Sequence, residues 1–74
     1  MRIISQDGNH SVQFERCHLW KQGADILTAT EKGTVLLGRY ETEGCAAQVF
    51  RDIHKSICVV DTFRMPSKGQ VKII

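Results

Sequence analysis

The stretch that decides the fold is residues 42–57, Thr-Glu-Gly-Cys-Ala-Ala-Gln-Val-Phe-Arg-Asp-Ile-His-Lys-Ser-Ile. Its apolar residues recur at the spacing i, i+3, i+4, i+7 and i+11, which places them on one side of an α-helix. The Thr42 hydroxyl is suited to cap the first turn, and Glu43 suits the positive end of the helix dipole. The pattern predicts an amphipathic helix over residues 43–57. Its apolar stripe consists of Ala46, Val49, Phe50, Ile53 and Ile57.

The segment before this helix has the character of short strands. Residues 2–5 are largely β-branched, and the run Gln-Asp-Gly-Asn at 6–9 favours a tight turn. The apolar parity changes between residues 12–14 and 17–19, which predicts a bend near Glu15 within one strand.

Residues 24–30 and 34–40, joined by a Gly-containing loop, predict a hairpin. After the helix, Pro66 favours an extended segment over residues 62–65. The apolar residues within 71–74 predict a last strand. We therefore expect an α+β fold of order β-β-β-β-α-β, in which one mostly antiparallel sheet of four or five strands packs against the helix.

Length and composition favour one compact domain over residues 1–74. The chain has 74 residues, of which 42% are hydrophobic and 24% charged, so neither a disordered nor a two-domain chain is expected. The net charge of +2 is far from the dense basic character that dominates nucleic-acid binding.

No motif in the chain indicates catalysis. The sequence lacks the Gly-rich phosphate-binding spacings and the Gly-x-Ser-x-Gly elbow, and its carboxylates are scattered singly. Cys17 and His18 are adjacent, so strand alternation points them to opposite faces and prevents a nucleophile pair. We expect a protein that is not an enzyme and has no catalytic residue.

The cysteines predict neither a disulfide framework nor a metal centre. Cys17, Cys45 and Cys58 form no Cys-x-x-Cys pair, which favours reduced thiols and a cytoplasmic location. His54 lies four residues from Cys58, and the two could form half of a zinc site. If the chain held a structural zinc ion, its removal by a chelator would lower the melting temperature. We expect no metal and no cofactor. No apolar run long enough for a signal or a membrane span is present.

Trp20 is the residue whose position indicates an outward role. If Cys17 and Leu19 face the helix, alternation sends His18 and Trp20 to the opposite face of the sheet. The strand at 34–37 is apolar on both faces, although one helix covers only one side. A second copy of the chain is the expected cover, so His18, Trp20 and Leu36 are the predicted interface of a homo-oligomer, with a dimer favoured and with Ile26 or Leu27 as a further candidate. Stacking on a nucleobase and burial of Trp20 in the core after a register slip are the alternatives.

Several segments resemble a group of small uncharacterised proteins of Firmicutes and their phages. The segments are Met-Arg-Ile-Ile-Ser-Gln-Asp-Gly at 1–8, Phe14, Leu-Gly-Arg-Tyr-Glu-Thr-Glu at 37–43, and Phe-Arg-Met-Pro at 63–66. The group likewise opens with Ile-Ile-Ser-Gln-Asp-Gly and enters a helix at Tyr-x-Thr-Glu. This chain departs from it at Gly44 and Cys45 and in its basic tail.

The resemblance and the missing catalytic motifs together predict a non-enzymatic binding protein. It would be a prophage-encoded accessory factor that inhibits a host defence protein or sequesters a small ligand, with no membrane partner. The alternative is a small nucleic-acid-binding domain that uses a basic patch near the C-terminus, with Trp20 or Tyr40 as a stacking surface. That patch would comprise Arg51, Lys55, Arg64, Lys68 and Lys72.

Overall fold

The computed structural model describes residues 1–70, and within them it shows an α+β fold of two three-stranded sheets and one α-helix. The predicted class is confirmed. The first sheet contains the strands β1, β2 and β6, and the second contains β3, β4 and β5. The elements are β1 (Arg2–Ile4), β2 (Ser11–Gln13), β3 (His18–Gln22), β4 (Asp25–Thr30), β5 (Gly33–Arg39), α1 (Glu43–Lys55) and β6 (Thr62–Arg64), with short 3₁₀ helices at Phe14–Arg16 and Lys68–Gln70.

The helix forms where the sequence predicts it and ends two residues earlier. The Thr42 hydroxyl accepts a hydrogen bond of 3.1 Å from the Cys45 N–H, so the expected cap is present. Ser56 ends the helix, and Cys58 then takes the left-handed conformation with a φ of 66°. Three members of the apolar stripe are buried and two are half-buried; in chain order they are Ala46, Val49, Phe50, Ile53 and Ile57.

The expected single sheet is wrong, because the segment predicted as one bent strand is two strands in different sheets. The 3₁₀ helix Phe14–Arg16 separates them, so that β2 pairs with β1 and β3 pairs with β4. Val12 and Leu19 both pack against the core, yet their positions have opposite parity in a continuous strand. The short helix changes both the phase and the direction of the chain, so that Val12 and Leu19 can both face the core.

The first sheet is completed by a strand that lies parallel to β1. In β6, Phe63 is in register with Ile3, and Arg64 is in register with Ile4. A parallel return needs a long connection, and the chain between β1 and β6 runs through β2, the whole second sheet and α1. The sequence predicted only an extended segment here, and the last strand that it predicted at 71–74 lies outside the described residues.

The second sheet is an antiparallel meander with one irregularity. Leu27 is in register with Leu36, whereas the adjacent Ile26 is in register with Gly38. Leu37 is therefore the extra residue of a bulge, and it is fully buried. The two sheets and α1 share one core, whose buried apolar members are Ile3, Ile26, Leu37, Tyr40, Cys45, Ala46, Val49, Ile53 and Met65.

Gln6, which follows β1, binds the backbone of the second sheet and of the segment after β6. Its backbone N–H donates to the Leu37 carbonyl at 2.7 Å. Its side-chain oxygen accepts from the Arg39 N–H at 3.0 Å, and its Nε2 donates to the carbonyls of Arg39 at 3.1 Å and Pro66 at 3.2 Å. One amide group thus joins three parts of the chain.

Tyr40 lies over Gly38, and its position depends on the absence of a side chain there. A Cβ at Gly38 would lie 2.9 Å from the Tyr40 hydroxyl oxygen and 3.1 Å from Cε of Met65. The Tyr40 hydroxyl donates to the Pro66 carbonyl at 2.9 Å, and burial raises the pKa of Tyr40. Pro66 therefore accepts from both Gln6 and Tyr40.

We predict that Gln6→Glu lowers the free energy of unfolding by about 2–3 kcal/mol at neutral pH, because a carboxylate cannot donate to the two carbonyls that Nε2 now binds. Urea denaturation measures this change. The loss should shrink near pH 4, where a protonated carboxyl regains one donor. The control is Gln13→Glu, which adds the same charge at an exposed position and should change stability by less than about 0.5 kcal/mol. Equal losses in both variants would contradict the role of Gln6.

We predict that Gly38→Ala destabilises the fold by about 1–3 kcal/mol, since the new methyl group overlaps the buried Tyr40 and Met65. Thermal and urea unfolding measure the effect. Gly69→Ala is the matched control, because a Cβ at that glycine meets no atom within 4 Å. If the two substitutions are equally mild, the close approach of Tyr40 to Gly38 is not a constraint.

Candidate functional site

The second sheet has one face covered by the core and one face that points away from it. Leu19 and Val35 pack against the core, and both are in register with the buried Thr28. Paired strand residues share a face, and alternate residues point to the other one. The neighbours of this inner row therefore point away from α1, and we call their side of the sheet the outer face.

The outer face is built from three rows of residues that are in register across β3, β4 and β5. The middle row is apolar and consists of Trp20, Leu27 and Leu36. One flanking row is His18, Ala29 and Thr34, and the other is Gln22, Asp25 and Arg39.

The middle row is partly open to solvent. Leu36 is 40% exposed, and Trp20 and Leu27 are half-buried. The imidazole of His18 lies beside the indole of Trp20, with ring centroids 5.4 Å apart and planes tilted by 30°. His18 and Ala29 are exposed. All three predicted interface residues, His18, Trp20 and Leu36, lie on this face, and their role as an interface stays a prediction. Of the two further candidates, Leu27 also lies on it, whereas Ile26 is wrong as an interface residue because it is buried in the core.

An ion pair lies at one end of the outer face. Nε of Arg39 donates to one Asp25 oxygen at 2.9 Å, and Nη2 donates to the other at 3.3 Å. These hydrogen bonds, together with the charge of Arg39, hold the pKa of Asp25 below its ordinary value. The charges of Asp25 and Arg39 cancel within one copy, so this pair adds no net charge to the outer face.

The other side chains considered from the sequence do not form a catalytic or metal-binding cluster within residues 1–70. Cys17 points its Sγ toward the Phe14 carbonyl at 3.6 Å, whereas His18 belongs to the outer face. Nδ1 of His54 lies 2.8 Å from the Phe50 carbonyl, and Cys58 is exposed in the loop after α1. No group of three or more His, Cys, Asp or Glu residues in this part of the chain could hold a metal ion.

The predicted basic patch is spread over separate elements. Arg51 and Lys55 lie one turn apart on the exposed side of α1, and Arg64 lies on β6. Lys68 belongs to the second 3₁₀ helix, and Lys72 lies outside the described residues. The structure brings Arg51 and Lys55 together, and it places Arg64 instead beside Arg2 on the first sheet.

Sequence reasoning missed an exposed apolar loop after α1. Val59 is 76% exposed and Val60 is 42% exposed. They line a groove of about 250 Å³ together with Met1, Glu15, Ile57, Cys58 and Asp61. The signal in the sequence is the run Ile-Cys-Val-Val at 57–60. This run contains no polar residue, and it does not continue the apolar spacing of the helix.

Comparison with known proteins yields no relative from which a function could be transferred. No protein-family model matches the chain, and no curated protein or solved structure matches it significantly. Within residues 1–70, α1 is too short and too polar to cross a membrane.

We predict that the Asp25 carboxyl titrates below its ordinary value of 3.8 in the folded protein and that Arg39→Gln raises its pKa toward that value. Carbon-13 NMR of the side-chain carboxyls over a pH series measures both. A lowered pKa stabilises the folded state above about pH 3.8, and this contribution disappears as the pH falls through the folded-state pKa. Arg51→Gln, which removes a positive charge from α1, should leave the Asp25 titration unchanged. An unaltered pKa in Arg39→Gln would show that the ion pair is absent in solution.

Proposed function

We propose that this chain is a non-enzymatic binding protein that associates with a second copy of itself through the outer face of the second sheet. The observation that carries the proposal is the row of Trp20, Leu27 and Leu36, which lies across three strands on the side away from α1. A contiguous apolar patch on a sheet marks an interaction site more often than a scattered apolar residue does. Tryptophan in such a patch is a frequent interface anchor.

The charges on the outer face favour a second copy as the partner. Asp25 and Arg39 neutralise each other within one chain, so two identical faces can approach without charge repulsion. In a two-fold dimer the same patch is used by both copies, and the apolar row of one copy can pack on that of the other. The partly exposed indole of Trp20 would then be desolvated.

The size of the outer face limits the strength of this association. Three strands and six residues of length, at about 4.8 Å between strands and 3.4 Å per residue, cover only about 300 Å². A typical stable interface buries about 800 Å² on each partner. We therefore expect a weak dimer, with a dissociation constant in the micromolar range or above.

The resemblance to small phage-associated proteins supports a wider role for this binding protein. We propose a prophage-encoded accessory factor whose partner is a host defence protein or a small ligand. The dimer would present two copies of every surface outside the outer face. A partner that carries two or more copies of its binding site could contact both copies of such a surface at once, which raises its apparent affinity for the dimer.

We predict that Leu36→Glu abolishes self-association, because it places a charge in the apolar row. Analytical ultracentrifugation over a wide concentration range measures the association. Trp20 is the only tryptophan in the chain, so its fluorescence emission should shift with concentration in the native protein and not in the variant.

Val59→Glu is the matched control, since it makes the same kind of change at a residue that is 76% exposed and lies in the loop after α1. It should leave the association unchanged. Loss of association in Val59→Glu alone would move the interface to that loop. A native protein that stays monomeric at every concentration would refute the dimer.

A further inference from the structure

The first sheet also has a face that points away from the core, and its chemistry differs from that of the second. Ile3 is buried and is in register with Phe63 and Val12, which both pack against the core. The residues between these positions therefore point outward. They are Arg2 and Ile4 of β1, Ser11 and Gln13 of β2, and Thr62 and Arg64 of β6. We call this surface the basic face; all of its residues except the half-buried Ile4 are exposed.

No carboxylate balances the two arginines of the basic face. The strands β1, β2 and β6 contain none of the chain's eight Asp and Glu residues. The nearest acidic residues along the chain are Asp7, Glu15 and Asp61. Among residues 1–70, neither Arg2 nor Arg64 forms an ion pair.

Each of those three carboxylates is engaged or placed elsewhere. Asp7 accepts hydrogen bonds from the Ser5 hydroxyl and from the Asn9 N–H within its own turn. Both oxygens of Glu15 lie 2.7 Å from the amino group of Met1. The Asp61 carbonyl accepts from the Arg2 N–H at 2.8 Å, but alternation with Thr62 points the Asp61 side chain away from the basic face, and Asp61 lines the groove beside Met1 and Glu15. The positive charge on the basic face is therefore available to an external anion.

The two arginines occupy neighbouring positions on the basic face. Arg2 is in register with Thr62 and Ile4 with Arg64, so the arginines lie one strand apart and two residues apart along the strands, about 8 Å between Cα atoms. One nitrogen of Arg2 donates to the Ser11 hydroxyl at 2.7 Å, which orients the group across β2. A guanidinium has five N–H donors, so Arg2 keeps donors for a ligand.

We propose that the basic face binds the phosphodiester backbone of single-stranded nucleic acid, independently of the dimer. Arginine forks match phosphate oxygens, and the hydroxyl and amide groups of Ser11, Thr62 and Gln13 are further donors of the kind that proteins direct at phosphates. The face carries no large exposed apolar side chain that would insert into a lipid surface. The major groove of a duplex admits a helix or a two-stranded ribbon, whereas the basic face belongs to a three-stranded sheet, which favours a single strand.

The basic face differs from the patch that the sequence predicted for nucleic acid. The two share Arg64, but the basic face adds Arg2 and omits the helix residues Arg51 and Lys55. Arg51 already donates to the Gln48 side chain at 3.0 Å, and Gln48 in turn binds Asp52 at 2.9 Å, so a carboxylate lies close to that part of the helix. The first sheet offers two positive charges without such a neighbour.

The test measures fluorescence anisotropy of a labelled oligothymidylate and of an oligouridylate of equal length, titrated with the whole protein at several salt concentrations. Two phosphate contacts predict that log K falls against log salt with a slope of about −1.4. Arg2→Gln and Arg64→Gln should each reduce the slope by about 0.7, and the double variant should lose measurable binding. Arg64→Lys should keep the slope, because it keeps the charge.

Two controls make the outcome decisive. Arg51→Gln combined with Lys55→Gln removes the same charge from α1 and should leave the affinity unchanged. Equal melting temperatures of all variants show that folding is intact. The proposal is overturned if the helix double variant loses binding while the Arg2 and Arg64 variants keep it. It is also overturned if the protein binds neither oligonucleotide, or binds phosphatidylserine vesicles or polyglutamate instead. Leu36→Glu should keep the native affinity for an oligonucleotide that is too short to contact two basic faces, so this result and that of the dimer test stand apart.

Discussion

The two sheets of this protein share one core, and the side-chain amide of Gln6 connects the end of β1 to the backbone of the second sheet. The strands of the first sheet have three residues each, and sheets this small are marginal without further support. An amide accepts at its oxygen and donates twice at its nitrogen, and Gln6 uses all of these bonds on the backbone at Arg39 and Pro66. Because neither a carboxylate nor an alkyl group can do the same, the relative position of the sheets depends on the chemistry of this residue.

The position of the sheets decides which surfaces the protein presents. Both sheets turn one face toward a core shared with α1, so each keeps one face for the outside. In the second sheet that face is apolar at its centre and electrically balanced, because Asp25 and Arg39 pair with each other. In the first sheet it is polar and positively charged. A thin core in a short chain thus leaves two exposed sheet faces of contrasting chemistry.

The two proposals assign one partner to each surface. The balanced, apolar outer face suits another copy of the chain, and the basic face suits an anionic strand. In the proposed dimer each copy would contribute one basic face, so that two weak contacts with one nucleic-acid strand would act together. Weak self-association is consistent with the small area of the outer face. Weak binding of a nucleic-acid strand by one copy, strengthened when a dimer presents two basic faces, is consistent with only two arginines on each basic face.

The sequence by itself determined the α+β class, the helix with its Thr42 cap, the hairpin of β4 and β5, and the placement of Trp20 away from the helix. These features follow from local periodicity, capping and strand alternation, which act between residues that are close in the chain. Only the tertiary structure decided that there are two sheets, that β6 lies parallel to β1, and that Arg2 and Arg64 share one face. Those outcomes depend on hydrogen bonds and packing between residues 60 positions apart, such as Arg2 and Thr62 in neighbouring strands, and no local pattern encodes such a pairing.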